Sequence, residues 1–316
     1  MADTKTIAVV GATGQQGGGV ARAILADPGG GFAVRAITRD PSKEAAQALA
    51  AAGAEIVVAD LDDEASLTAA FAGAHGAFCI TNFWEHFSAE KEIEQAGNQA
   101  RAAAAAGVKH AIWSTLEDTR RFLPIDDDRM PVLQERFNVP HFDAKEEANA
   151  KFTEAGVPTT FLFTAFYWEN FIFFGAGPQR GPDGKLALTM PMGDATLPGI
   201  ASADIGKIAY AIYRRGDEFI GKSVYVSGEN LTGTQLAAAF SNALGEEVTY
   251  NAVDPDVYRG FGFPGADEMG NMYQFKRDFE SDYSGARVRE KVLELDPELQ
   301  TFETWLAANK DRIPIE

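Results

Sequence analysis

The strongest constraint on the fold lies at the start of the chain. A β-branched run, Thr6 to Val10, enters Gly11-Ala-Thr-Gly-Gln-Gln-Gly17, and an Ala-rich helical segment follows to about Leu25. Strand, glycine turn and helix are the opening of a βαβ unit. The pattern then repeats. An apolar run at Phe32 to Thr38, a helix at about Ser42 to Ala52 and a strand at Glu55 to Ala59 come next. A helix fits Asp63 to Phe71, and strands at His75 to Ile80 and His110 to Ser114 flank a long helix, Ala89 to Ala106. After a polar loop, Glu117 to Pro140, a helix from about His141 to Ala155 and a strand at Thr159 to Thr164 complete the series. Alternation of this kind predicts a parallel sheet covered on both faces, that is, an α/β fold with a six-stranded, doubly wound Rossmann core.

Beyond Thr164 the texture changes. Aromatic residues crowd Phe161 to Phe174, and Gly and Pro punctuate Gly175 to Gly199. A smaller α+β domain is expected over 161–316, after a first domain over 1–160, with some segments at about 200–228 returning to the first. Within it a helix is expected at Ala203 to Arg214, a strand at Ser223 to Ser227, a helix at Thr234 to Leu244 and a strand at Val248 to Val253. The remainder, Val257 to Asn309, reads as mostly helical.

Charge narrows the function. The 316 residues carry 28 Lys and Arg against 46 Asp and Glu, a net charge of −18. That balance opposes nucleic-acid phosphates and anionic lipid surfaces, so neither is expected as a partner. No run approaches the roughly 18 to 20 apolar residues of a membrane span, and Met1 to Val10 lacks the pattern of a signal peptide, so a cytoplasmic protein is expected. The lone cysteine, Cys79, sits in a strand as an inert buried thiol, and the four scattered histidines offer no metal spacing.

Gly11, Gly14 and Gly17 recur every three residues between strand and helix, where backbone amides and the positive helix end hold a pyrophosphate. Thr13, Gln15 and Gln16 belong to the same loop. Gly18 and Gly19 weaken the helix start by roughly 1 kcal/mol each relative to Ala, and close backbone approach to a ligand is one reason to accept that. At the end of the second strand a carboxylate selects NAD, whereas a cation receives the 2′-phosphate of NADP. Here Arg39 stands at that place with Lys43 four residues on, which favours NADP(H) over NAD. Asp60-Leu61-Asp62 is placed either to touch the adenine or to cap the next helix. Thr81-Asn82-Phe83, after the fourth strand, is placed near the nicotinamide half.

Several motifs in register carry a family resemblance. Gly11 to Gly17, Thr38-Arg39, Thr81-Asn-Phe-Trp-Glu85, His141-Phe-Asp-Ala-Lys145 and Tyr167-Trp-Glu-Asn170 together resemble the NmrA-like family of atypical short-chain dehydrogenases. Phe263-Pro-Gly-Ala266 and Thr304-Trp-Leu306 extend the likeness to nearly the whole chain, nearest to the vertebrate NADPH-sensing branch. The resemblance implies phosphate contacts at Thr13 to Gly17, a 2′-phosphate clamp at Arg39 and Lys43, and nicotinamide-side contacts at Thr81, Asn82 and Lys145. Tyr167 to Asn170 would line the same cleft. Asn98 stands where the sensing members have a lysine implicated in cofactor binding.

Ordinary short-chain reductases use Tyr-x-x-x-Lys, whose spacing puts both side chains on one helix face. Here Lys145 is kept and His141 takes the tyrosine place. Histidine at that position either donates a proton to a carbonyl after hydride transfer, or caps the helix start or packs in a loop. Ser114 and Thr115, closing the fifth strand, either polarise a carbonyl or end a turn. Trp84, His86 and Phe87 gate the cleft mouth or merely cover it. Two functions follow: an NADP(H)-responsive redox sensor acting through a protein partner, which the missing tyrosine favours, and an NADPH-dependent reductase of a hydrophobic aromatic ketone or quinone. Lys145, His141 and Tyr167 are the candidate catalytic side chains of the second, and a monomer or homodimer is expected in either case.

Overall fold

The computed structural model describes residues 4–315. The chain divides into two compact units, the first made of residues 1–118, 140–164 and 202–224, the second of 119–139, 165–201 and 225–316. The units therefore interleave along the chain. Residues 119–139 leave the first unit, and the helix and strand that follow residue 201 return to it.

In the first unit, six strands, β1 (Lys5–Val9), β2 (Phe32–Thr38), β3 (Glu55–Val58), β4 (Gly76–Cys79), β5 (His110–Thr115) and β6 (Thr159–Phe163), pair in parallel. A seventh, β11 (Ser223–Tyr225), completes the order β11-β6-β5-β4-β1-β2-β3. Within the stretch at about 200–228, β11 extends the sheet at the free side of β6, where the Gly221 amide donates to the Thr159 carbonyl at 2.7 Å and the Phe161 amide to the Lys222 carbonyl at 2.9 Å. The strand order reverses between β1 and β4, so the crevice at their carboxyl ends is the place where such sheets bind ligands.

The helices are α1 (Gln15–Leu25), α2 (Glu44–Ala51), α3 (Glu64–Phe71), α4 (Ala89–Ala105), α5 (Pro140–Glu154) and α7 (Ser202–Arg214). Alternate residues of the central strands, among them Ala8, Ala77, Cys79 and Trp113, pack with Leu67, Phe71, Ala96, Ala100 and Phe152 from α3, α4 and α5. Each large side chain buried there contributes about 1.5 to 3 kcal/mol. Every residue of β4 and β5 is buried, as expected of central parallel strands. Cys79 lies fully inside β4, and burial pushes its thiol pKa up, which leaves no thiolate for redox chemistry.

On the other face α1 meets α7 through glycines. A Cβ on Gly206 would stand 2.2 Å from the carbonyl carbon of Gly19, and one on Gly19 would stand 2.6 Å from the Ser202 carbonyl oxygen. Helix contact therefore explains Gly19, where the sequence suggested approach to a ligand.

The second unit is α+β. It holds two three-stranded sheets, β12-β10-β7 and β13-β9-β8, and a mostly helical C-terminal part. Its strands are β7 (Phe166–Tyr167), β8 (Gln179–Arg180), β9 (Leu186–Met190), β10 (Thr196–Ile200), β12 (Glu229–Thr232) and β13 (Val248–Ala252). The aromatic segment divides: Phe166, Trp168 and Phe171 are buried, with rings against Phe240, Phe302 and Trp305. Glycines at 199 and 228 make room for the Trp168 indole, since a Cβ on either would fall within 2.7 Å of it. These rings are core of the second unit, not a free wall for a flat ligand. Among the described residues no helix is long and apolar enough to cross a membrane, and no cluster of metal-ligating side chains occurs.

Candidate functional site

The glycine loop joins β1 to α1 with the geometry its composition predicts. Gly11 adopts φ +62°, open to glycine at little cost. The Gly14 amide donates to its carbonyl at 2.8 Å and closes the turn. Gly17 packs the first helical turn onto the strand end, because a Cβ there would lie 2.5 Å from the carbonyl oxygens of both Val10 and Gly11. Gly14 caps α1 without a side chain to satisfy the helix's first amides. An uncapped helix start beside exposed glycine backbone fits a diphosphate. Thr13 is half-buried in the loop. The two glutamines bind protein: Gln16 Oε1 accepts from Ser114 Oγ at 2.9 Å, and Gln15 Oε1 accepts from Ser202 Oγ at 3.3 Å. Ser114, a candidate carbonyl donor, thus ties β5 to the loop. The Thr115 hydroxyl is turned to the Lys145 carbonyl at 3.1 Å.

At the end of β2, Arg39 is exposed and its guanidinium hydrogen-bonds Glu85, with Asp60 and Asp62 adding to the negative field around it. The Glu85 carboxylate is the anion that Arg39 now holds. Lys43 is exposed at the start of α2. Of the acidic residues beyond β3, Asp63 is the one that caps α3, accepting from the amides of Ala65 and Ser66. Asp60 instead accepts from the Asp62 amide at 3.0 Å. Asp62 binds the Lys91 ammonium at 2.8 Å and the Gln95 amide at 2.9 Å, and both hold its carboxyl below the usual carboxylate range. The Leu61 carbonyl accepts from Asn98 at 2.8 Å. Asn98 therefore braces the loop expected beside the adenine.

The most built part of the unit lies where β4 ends. The Gln99 amide on α4 brackets the backbone of Ile80, with its oxygen 3.1 Å from the amide and its nitrogen 3.2 Å from the carbonyl. Thr81, the next residue, is buried and donates its hydroxyl to Glu92 Oε1 at 2.6 Å. Lys145, reaching in from α5, sets its Nζ 2.7 Å from the same carboxylate oxygen, 2.8 Å from Thr81 Oγ1 and 3.2 Å from the Thr81 carbonyl. The Trp113 ring lies 5.2 Å from the ammonium, within cation–π range. Asn82 is exposed and starts a short 3-10 turn, Phe83–Glu85.

His141 lies one turn before Lys145 on α5 and is enclosed by rings, Trp84 at 5.0 Å, Phe83 at 5.8 Å and Phe142 at 4.7 Å between centroids. With 6% of its surface exposed it is buried among these rings. Phe83 is buried in this cluster, Trp84 is half-buried and Phe87 exposed. Tyr167 and Asn170 belong to the second unit, Tyr167 half-buried in β7 and Asn170 at the start of a one-turn helix, α6 (Asn170–Phe173). The first unit thus gathers the glycine loop, Arg39, Thr81 and Lys145 in itself.

Glu92 and Glu85 were not read as site residues. Glu85 meets Arg39 across 46 positions, beyond the reach of any local pattern. Glu92 had a signal: alone among Glu90, Glu92 and Glu94 it falls in helical phase with Ala96, Ala100 and Ala103, the buried stripe of α4.

The comparisons with known proteins agree with this architecture. The model of the NmrA-like family matches residues 3–306. FrzB, an NmrA-like family domain-containing oxidoreductase of Cladobotryum, is 30% identical over 86% of this chain and 84% of its own. The hkm9 oxidoreductase of Aspergillus hancockii is 30% identical over 92% of this chain and 88% of its own. Among solved structures, NmrA, a negative transcriptional regulator, superposes with a TM-score of 0.79 as its NAD complex and 0.78 as its NADP complex, at 25% identity over 96% of this chain and 95% of that one. A family match along almost the whole length, residues 3–306, makes this chain a member of the NmrA-like family.

Proposed function

We propose that this chain is an NADP(H)-dependent oxidoreductase that reduces a hydrophobic aromatic ketone or quinone. The observation that carries the reading is the Lys145 ammonium, fixed at the carboxyl end of β4 by Thr81 and Glu92. A buried ion pair is seldom the most stable way to fill a core, so its retention suits a charge needed for chemistry. The oxidoreductase names of FrzB and hkm9 and the NAD and NADP complexes of NmrA support the same reading.

In this assignment the uncapped start of α1, with Gly11 to Gly17, holds the pyrophosphate, and Arg39 with Lys43 receives the 2′-phosphate. The bound nicotinamide supplies the hydride. Lys145 binds the adjoining ribose and presents a proton toward the reacting oxygen. The substrate class rests on the rings around the 3-10 turn, Phe83, Trp84 and Phe87. Steady oxidation of NADPH with a panel of aromatic quinones and ketones tests the proposal, and tight NADPH binding without turnover on that panel would count against it.

Cofactor choice is separately testable. Arg39→Ala should weaken NADPH by about 10- to 100-fold, the worth of a charge-assisted contact of about 1.5 to 3 kcal/mol, with little effect on NADH. Because Glu85 occupies the guanidinium, Glu85→Gln should tighten NADPH a few-fold, about 0.2 to 1 kcal/mol as for exposed ion pairs, and leave NADH unchanged. Calorimetric titration of both cofactors decides; equal shifts for NADPH and NADH would remove the 2′-phosphate assignment.

One observation favours a second reading, an NADP(H)-responsive sensor acting through a protein partner in the cytoplasm. Glu85 ends the turn that carries Trp84, so a 2′-phosphate that displaces it from Arg39 acts directly on the aromatic cluster around His141. A change of molecular mass or of partner binding with NADPH, without turnover, is the outcome that selects the sensor.

A further inference from the structure

Glu92 is entirely buried, and its two oxygens do different work. Oε1 accepts from the Thr81 hydroxyl at 2.6 Å and faces Lys145 Nζ at 2.7 Å, while Oε2 has no hydrogen-bond partner and lies 3.6 Å from His86 Nε2, itself a buried atom without one. The backbone amide of Ser88 donates to His86 Nδ1 at 3.1 Å. That bond leaves the lone pair on Nδ1 and puts the proton of a neutral ring on Nε2, aimed at Glu92. Ser88 therefore orients His86, and Glu92 orients Lys145, while His86 Nε2 and Glu92 Oε2 face each other across 3.6 Å without a hydrogen bond. The three ammonium protons of Lys145 also have three acceptors at hand, Glu92 Oε1, Thr81 Oγ1 and the Thr81 carbonyl. To reach a ribose hydroxyl or a reacting oxygen, the lysine has to give up one of them. The Thr81 contacts are the exchangeable ones, since that hydroxyl keeps Glu92 as its own acceptor and the carbonyl contact is the longest.

We propose that Glu92 is a positioning residue that keeps Lys145 on station while its Thr81 contacts are exchanged for the bound ligand, with His86 packed behind the carboxylate. The inference rests on the reading of Lys145 as a contact to the nicotinamide half. It concerns how the lysine is held, and it applies whether the ligand is turned over or only sensed.

The test is a double-mutant cycle on the full chain, read by calorimetric NADPH affinity, with NADPH oxidation by menadione as a second readout. Glu92→Gln keeps the shape of the side chain and removes its charge. It should weaken NADPH about tenfold in the native background and by less than about twofold when Lys145 is already Met, a non-additivity expected only of groups that act through one another. Where menadione is reduced, kcat should fall by up to about 100-fold, the scale of a misplaced reacting group, with a smaller change in KM. His86→Gln, which spares the buried ion pair, should show the same non-additivity at a few-fold scale, and it replaces Glu92→Gln if that variant does not fold. Equal effects in the two backgrounds, or none in either, overturn the proposal. Absence of menadione reduction with the cycle intact counts against the reductase and leaves the positioning role standing.

Discussion

Lys145→Met is expected to lower NADPH-linked reduction by about 100- to 1000-fold in kcat/KM, the range of a lost proton donor and fixed charge. Methionine keeps the length and the apolar stem of the lysine, so the path past Trp113 remains filled. What disappears is the ammonium between Thr81 and Glu92. The variant should also lose stability, because Glu92 is left buried without its cation at a cost of about 3 to 5 kcal/mol. The two losses are separable. Adding Glu92→Gln removes the stranded charge and should recover much of the melting temperature while activity stays low. If activity returned along with stability, the lysine would be a folding element only, and the catalytic assignment would fail.

Gly206→Ala is expected to destabilise the protein by about 3 kcal/mol or more, at the upper end of what overpacking costs. In an isolated helix the same change is favourable by up to about 1 kcal/mol. Here the new methyl would sit 2.2 Å from the Gly19 carbonyl carbon and 2.6 Å from the Val20 amide. Those are backbone atoms of α1 that no rotamer change can move aside, so α1 and α7 have to separate. Because α1 begins at the glycine loop, NADPH affinity should fall with stability. Gly97→Ala on α4 is the control, since its Cβ would meet mainly the end of the Arg101 side chain, 3.0 Å away, a flexible side chain that can shift while its contacts to Glu64 and Asn98 readjust. That change should be neutral or stabilising by up to about 1 kcal/mol. Thermal melts of the two variants give the comparison, and a Gly206→Ala protein melting with the wild type would refute the close packing.

How much of this was legible beforehand follows from the range of each interaction. The six parallel strands, the glycine loop and the i, i+4 pair of His141 and Lys145 are local patterns, and all were readable. The three residues of β11 carry too little periodicity to announce that they pair with β6, about sixty positions earlier. The chemical type of His141 was plain from its place, but its enclosure by Trp84, Phe83 and Phe142 is tertiary. The 2′-phosphate candidate Arg39 could be picked from a strand end, whereas its present partner Glu85 could not. Glu92 is an intermediate case, in helical phase with the buried stripe yet hidden among three glutamates.

The return of residues 202–224 to the first unit affects how the protein is made. A ribosome that has released only the first 164 residues has produced the glycine loop and six strands, but β6 still lacks its neighbour β11 and the glycine face of α1 still lacks α7. Until some sixty further residues emerge, that nascent sheet carries a bare edge, the kind of surface on which chains pair with one another. A fragment cut at residue 164 should therefore aggregate instead of binding nucleotide. Domain-by-domain dissection of the chain calls for a fragment that joins residue 118 to residue 140 and residue 164 to residue 202.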